Sequence, residues 1–424
     1  MRWICSQIGA REHYAIPRVL HRSGKLDRLY TDFWASAPWR LIGKLAGKGS
    51  LSTRYHPGLA GAPVTAFNLQ ALKASRQRFA NPYEGFLQVG KAFGQRVIEQ
   101  LQSSKSHLPT PSSTIFFGYD TGFLEPARWI KERGGKAIVC QMDPARYEVD
   151  LVKSEEKRWS GWAKSSVEVP EAYCMRREAE WAAADLVMVN SEWSKQALME
   201  QGVDEHKLIV VPLAFELGKA EGERQKAKGR RFGVLPSAVL RAHSHGLDSS
   251  FSQKHPLRVL FLGQVILRKG IQYLIEAARL LEKEPIQFDV VGSLGISDAA
   301  MAAAPASMTF HGPVSRDRTE QFYREADLFV LPTLSDGFAL TQLEAMAHGL
   351  PVIATPNCGE VVTDGVDGLI VPASDSNALA EAFQLLLQDP DKLRAMREAT
   401  GAKLDQFSLA RLGENLAALE QRLL

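Results

Sequence analysis

Residues 331–355 read LPTLSDGFALTQLEAMAHGLPVIAT. An apolar run ends at Pro332, and a polar loop carrying Gly337 follows. Leu340, Leu343 and Ala347 then recur at the i, i+3 and i+7 spacing of one helical face, and Gly349 closes the helix before a second apolar run. The unit is strand, loop, helix, strand, as a parallel sheet requires. Glu344, at i+4 from Leu340, falls within the apolar stripe and so faces inward. An unpaired inward carboxylate is costly, and a ribose diol could supply two hydroxyl donors. The same Glu could instead turn to solvent or find an internal partner. The loop at residues 335–338 stands at the carboxyl end of its strand and beside a helix N-terminus, where free N–H groups favour an anion such as a diphosphate. Asp336 could equally be an N-terminal helix cap.

The alternation extends outward in both directions. Short apolar runs at residues 258–263, 288–292, 308–312, 327–332, 351–355 and 368–372 are separated by helical patterns, the first being IQYLIEAARLLEK at 271–283. In the first half, a strand at residues 2–9 leads to helical spacing at Tyr14, Ile16, Val19 and Leu20, with further strands at 114–117, 137–140, 186–189 and 208–211. The fold class is therefore α/β with two Rossmann-like domains. Residues 1–214 form the first domain and 257–400 the second. Residues 215–256, rich in Gly, Lys, Arg, Ser and His, are a linker or inserted loop. The tail from 391 reads as helical throughout and could pack back on either domain, the helix at 401–424 on the N-terminal one among the alternatives.

A second constellation lies in FLGQVILRKGIQYLIEAA, where Arg268 and Lys269 precede a helix whose apolar face is Ile271, Leu274, Ile275 and Ala278. Cations at a helix start oppose its dipole unless an anion is bound between them. A pyrophosphate would resolve the conflict; a solvated basic loop is the plainer alternative.

Composition narrows the classes. A chain of 424 residues with 45% apolar and 23% charged residues is globular and long enough for two domains. A formal charge of +3 gives no reason to expect a nucleic-acid partner. Four cysteines without C-x-x-C spacing indicate neither zinc nor a disulfide framework. No signal-like or membrane-spanning run is present, so a cytoplasmic location is expected. P-loop, dinucleotide and zinc-protease motifs are absent from the sequence. Asp389-Pro390-Asp391 reads as a turn, and His243-Ser244-His245 lies in the polar linker, so no metal is expected. In PWRLIGKLAGKGSL, residues 38–51, Trp39, Ile42 and Leu45 oppose Arg40, Lys44 and Lys48. This resembles a basic interfacial helix, so peripheral contact with the inner face of a membrane stands beside an ordinary surface segment.

Together these residues resemble glycosyltransferase family 4, retaining enzymes with a GT-B fold. The match rests on Gly263 through Lys269-Gly270 and on DGFALTQLEAMAHGLPV, where Asp336 and Glu344 occupy the acidic places of an E-x7-E pattern. The resemblance implies that Glu344 binds the donor ribose and that Lys269 and Arg268 bind the diphosphate. Asp336 and the amides of Gly337, Phe338, Ala339 and Leu340 would meet the donor sugar. Main-chain groups around Gly292-Ser293 and His311-Gly312 would hold the base, and residues 359–362 would lie beside the same site. Gln264, Asp336 and Ala339 depart from the family's usual arginine, glutamate and glycine. In the first half, Gly9 belongs to the loop facing the donor phosphates, and residues 187–214 resemble the end of that domain. His13 and Asp143 are the acceptor-side candidates for catalysis. The implied activity is metal-free transfer from a nucleoside-diphosphate sugar to a saccharide or lipid-linked acceptor. An epimerase or phosphorylase on the same architecture, or a nucleotide-binding module with a degenerate site, would be the alternatives.

Overall fold

Runs such as TIFFGY and LFVL carry no polar alternation, which suits strands covered on both faces. Both are buried at every position. The computed structural model describes residues 1–36, 54–103, 111–216 and 251–424. The expected basic helix at 38–51, most of the linker, and His243 and His245 lie outside the described residues.

The N-terminal domain holds a seven-stranded sheet of β1 (Arg2–Gln7), β2 (Leu26–Thr31), β3 (Val64–Ala66), β4 (Thr114–Tyr119), β5 (Lys136–Gln141), β6 (Leu186–Val189) and β7 (Leu208–Val210), in the order β3-β2-β1-β4-β5-β6-β7. Its helices are α1 (Ala15–Arg22), α2 (Asn68–Ala74), α3 (Pro82–Ser103), α4 (Leu124–Lys131), α5 (Arg146–Arg158), α6 (Glu171–Ala183) and α7 (Glu192–Glu200). The C-terminal domain has six strands, β8 (Leu257–Leu262), β9 (Ile286–Val291), β10 (Met308–Gly312), β11 (Leu328–Leu331), β12 (Val352–Ala354) and β13 (Gly368–Ile370), ordered β10-β9-β8-β11-β12-β13. Helices α8 (Ile271–Leu280), α9 (Asp298–Ala302), α10 (Arg316–Glu325), α11 (Leu340–Ala347), α12 (Ser376–Gln388) and α13 (Pro390–Ala399) complete it, and α14 (Leu409–Arg422) follows. Every pairing between these strands is parallel.

Three departures from the sequence expectation have local causes. Strand β2, LDRLYT, was hidden because Asp27 and Arg28 interrupt its apolar residues, and β3 is only three residues long. The tail is not helical throughout. A 3-10 run at Thr400–Phe407 separates α13 from α14, and it places Leu404 and Phe407 in the C-terminal core before α14 crosses to the other domain. Asp389 forms a cap as well as a turn, its side chain accepting from Lys392 N at 2.9 Å at the start of α13.

Helix α14 is sealed by Leu409, Leu412, Leu416 and Leu419, which join Trp3, Ile16 and Leu20 in one core. Glu420 accepts from Trp3 Nε1 at 3.2 Å and from Lys25 Nζ at 2.8 Å. A second tie between domains is buried. Glu155 of α5 accepts from Gln272 Nε2 at 3.0 Å and from the Tyr273 hydroxyl at 2.8 Å, both on α8. Nearby, Lys164 N donates to Gly295 O at 2.9 Å and Ser297 N to Trp162 O at 2.7 Å. Among the described residues, no helix is long and apolar enough to cross a membrane.

Leu419 is fully buried, so Leu419→Ala should cost about 2–5 kcal/mol. Hydrogen exchange is expected to rise in β1 and α1, far away in sequence. Loss of protection confined to α14 would contradict the shared core.

Candidate active site

In both sheets the strand order reverses at the centre, between β1 and β4 and between β8 and β11. A crevice forms outside the carboxyl ends of parallel strands at such a reversal. The loops that matter follow β1, β4 and β5 in one domain and β8 and β11 in the other.

After β8 the chain makes a 3-10 turn, Leu267–Lys269, and turns into α8 through Gly270 at φ 74°. A Cβ on Gly270 would lie 1.8 Å from the Pro332 carbonyl oxygen, so only glycine allows this turn to dock on the loop after β11. Docking brings the basic and acidic residues together. Lys269 forms an ion pair with Asp336. Arg268 donates from Nη1 to Ser335 O at 2.8 Å and lies 3.4 Å from Glu148 Oε2. Asp336 is not the helix cap. Helix α11 starts later, at Leu340, and its N-cap Ala339 makes no side-chain capping bond.

Glu344 differs from the unpaired inward carboxylate considered above. It is half-buried and accepts from the Tyr323 hydroxyl at 2.9 Å, the internal-partner alternative. Tyr323 in turn stacks on His348, with ring centroids 4.8 Å apart. Phe338 and Ala339 point their side chains into the core, leaving Leu340 partly covered at its edge. At the ends of β9 and β10, Gly292 N donates to Gly312 O at 3.0 Å, and Ser293 O accepts from Val265 N at 2.9 Å. The His311 ring lies 2.7 Å from Asp289 Oδ1.

The acceptor-side domain meets this loop through backbone. A Cβ on Gly337 would lie 1.8 Å from Met142 O and 3.3 Å from the Asp143 Cα. Asp143 therefore stands directly against the donor-side loop. Its carboxylate is ion-paired with Arg177, accepts from Ala145 N at 2.8 Å, and shares Arg177 with Asp120, whose Oδ2 is 3.0 Å from Nη2. Lost hydration would raise the Asp143 carboxyl, but Arg177 outweighs it and holds the group below its usual range. Burial dominates at Asp120 and raises it. A cavity of about 580 Å³ opens beside Asp143, walled by Ile8, Phe79, Phe86, Val89 and Tyr173, with Arg11 on its polar side.

Gly9 also lies on the loop after β1, where its N–H donates to Asp32 Oδ1 at 2.8 Å. Glu12, His13 and Tyr14 follow with φ of 49°, 49° and 62°, a left-handed run without glycine. His13 is exposed and does not line the cavity. Glu12 accepts from the Tyr119 hydroxyl at 3.0 Å, and burial pushes its carboxyl up to about 7.

The structure thus gathers Arg268, Lys269, Asp336, Gly337 and Asp143, and leaves His13 outside. Sequence reasoning missed Glu148, Arg177, Asp120 and Trp193. Glu148 Oε2 accepts from the Ser335 hydroxyl at 2.8 Å, and Trp193 Nε1 approaches the same oxygen of Ser335 at 3.4 Å. Only Glu148 left a signal, as a second acidic residue just past Asp143 and a strand end. Arg177 sits within a charged helix and shows no pattern.

Residues 256–389 match the family model described as Glycosyl transferases group 1. A D-inositol 3-phosphate glycosyltransferase of Nocardia farcinica is 29% identical over 252 residues, 55% of this chain and 52% of that protein. The chain spans about half the length of the curated relatives it matches. Among solved structures, HepE of Anabaena in complex with UDP has a TM-score of 0.60 at 14% identity, over 99% of this chain and 100% of that one. Sucrose-phosphate synthase from Thermosynechococcus elongatus has a TM-score of 0.60 at 18% identity, over 100% and 99%. At these identities the structural likenesses show the fold, which is GT-B.

Gly337→Ala should push the loop after β11 away from Met142. Faster hydrogen exchange is expected in residues 142–145 and 335–338 together, with β4 and β8 unchanged. Equal exchange in variant and parent would rule out the close approach.

Proposed function

We propose that this chain, whose residues 256–389 match the glycosyl transferases group 1 model, is a retaining glycosyltransferase, moving a sugar from a nucleoside-diphosphate sugar to a saccharide or lipid-linked hydroxyl acceptor. The observation that carries the reading is the convergence of Arg268 and Lys269 on the loop after β11, at the reversal point of the sheet.

The chemistry follows from charge. As the bond from the anomeric carbon to the diphosphate breaks, the sugar gains oxocarbenium character and the leaving oxygens gain negative charge. Arg268 and Lys269 would hold that charge, with the start of α11 adding its free N–H groups. No bound metal is required in this reading. Glu344, already oriented by Tyr323, would accept from the ribose hydroxyls. The main chain at Gly292-Ser293 and His311-Gly312 would hold the base. Phe338 and Ala339 are committed to the core, so donor-sugar contacts would come from Asp336 and from amides.

The acceptor would enter from the cavity beside Asp143. Asp143, kept ionised by Arg177, is suited to accept a hydrogen bond from the incoming hydroxyl. A hydroxyl attacking from the face that the diphosphate leaves would give retention. The domains would close over both substrates and exclude water from the activated sugar. A lipid-linked acceptor would agree with the basic amphipathic stretch at residues 38–51 and with the apolar walls of the cavity.

Calorimetry with UDP, GDP and ADP, followed by a donor-hydrolysis screen, tests the reading. Lys269→Ala should lower turnover by about 10²- to 10³-fold. Glu344→Ala should weaken binding of the matching nucleotide by about tenfold, as loss of a charged hydrogen-bond acceptor does. Unchanged binding and turnover in both variants would sink it.

A further inference from the structure

The cations of the cleft are already matched by the protein's own carboxyl groups. Four of them, Arg11, Arg177, Arg268 and Lys269, face Asp120, Asp143, Glu148 and Asp336. A diphosphate adds further negative charge beside Arg268 and Lys269. At least one carboxylate must therefore give up its cation or its charge when the ligand arrives.

The four carboxyl groups are not equally held. Asp143 has Arg177 and the Ala145 amide, and Asp120 shares the same guanidinium. Both belong to the acceptor-side domain and neither contacts Arg268. Asp336 travels with the loop after β11 and pairs with Lys269 inside the same domain. Glu148 is different. It projects from α5 of one domain onto two groups of the other, at 2.8 Å from the Ser335 hydroxyl and 3.4 Å from Arg268 Nη1. The Arg268 contact is long, while the same guanidinium nitrogen keeps a tighter bond, 2.8 Å, to Ser335 O. If Glu148 withdraws, Arg268 stays in place.

We propose that Glu148 is a positioning residue that stands in for the donor's diphosphate, pairing with Arg268 and yielding it when a nucleoside diphosphate binds. The inference rests on the proposed donor site. Its physical content is competition between two anions for one guanidinium, coupled to the relative position of the domains because the protein's own anion comes from the far side. Donor binding breaks a contact across the cleft, and product release restores it, so Glu148 opposes retention of the nucleoside diphosphate.

The competitor is the ionised carboxylate, which gives a pH signature. Lost hydration pushes the Glu148 carboxyl up to about 7, against the opposing pull of Arg268. Asp143 and Asp336 face it as like charges, and Tyr83, Lys153 and Glu156 line the 480 Å³ cavity next to it. Above this pH Glu148 is charged and competes; below it the group is neutral and does not. Titration of the nucleotide's own phosphate is common to parent and variant and cancels in their ratio.

The test is calorimetric titration of full-length protein and of Glu148→Gln with UDP, GDP and ADP, at pH 8.5 and pH 5.5. Glu148→Gln should bind the matching nucleotide about tenfold tighter at the higher pH, within the usual span of coupling between exclusive contacts. The advantage should fall toward unity at the lower pH. Glu148→Asp, which withdraws the charge by one methylene, should show a smaller gain and serves if the Gln variant does not fold. A role confined to holding the domains together would lower the melting temperature without tightening binding, and that result overturns the proposal. Equal affinity of parent and variants at both pH values does so too. Absence of binding to all three nucleotides in parent and variants alike overturns the donor-site reading itself.

Discussion

Two parallel sheets can face one another across a productive cleft only if their loops approach closely, and here the approach is made by bare backbone. Gly337 lies so near the Met142 carbonyl that a methyl group in its place would overlap the oxygen. That contact fixes how the loop after β11 sits against the loop after β5. The polar contacts across the cleft depend on the same placement: Glu148 with Ser335 and Arg268, Trp193 with Ser335, and the Glu360 carboxylate accepting from Glu192 N at 3.1 Å. A side chain at position 337 would separate these partners by more than a hydrogen bond can span. Gly270 does the same within one domain, and through it Lys269 reaches Asp336.

Away from the cleft mouth the domains are joined more permanently. Glu155 is buried, and its carboxylate is satisfied by Gln272 and Tyr273, so breaking this tie would strand a charge in a dry setting. The four leucines of α14 carry the end of the chain into the core of the first domain. The mouth is held instead by the close approach of Gly337 to Met142 and by part-buried contacts, Glu148 with Ser335 and Arg268 and Trp193 with Ser335, together with the exposed bond from Glu192 N to Glu360. In the proposed function, closure over the substrates would then be resisted least on the cleft side, away from these buried ties.

Much of this was legible in the sequence because burial on both faces leaves uninterrupted apolar runs. The strands at the centre of each sheet were found for that reason. Strands β2 and β3 were not, since β2 mixes Asp27 and Arg28 with its apolar residues and the edge strand β3 is very short. In the site, Lys269 and Arg268 were visible because cations at a helix start conflict with its dipole and call for a partner. Asp336 was visible by its place in the loop at the carboxyl end of a strand, where a helix cap stood as the alternative. Glu344 was visible too, but its partner Tyr323 stands on another helix, so no spacing could announce it. Glu148, Arg177 and Asp120 were invisible because their meaning is tertiary. Each is an ordinary charged residue along its own element and becomes distinctive only when the domains face one another.

The same charges bear on how a leaving diphosphate is stabilised. A guanidinium left free in a cleft would be fully hydrated and would have to shed that water as the ligand arrived. A guanidinium already held by Ser335 O and a carboxylate has been stripped of part of its hydration and aimed beforehand. Exchanging one anion for another costs less reorganisation than creating the pair from water, which is the physical basis of preorganised electrostatic stabilisation. In the proposed reaction, oxygens that gain negative charge as the bond to the anomeric carbon breaks would hold Arg268 and Lys269 more strongly than the bound donor would. The cation pair would therefore act more on the transition state than on the ground state.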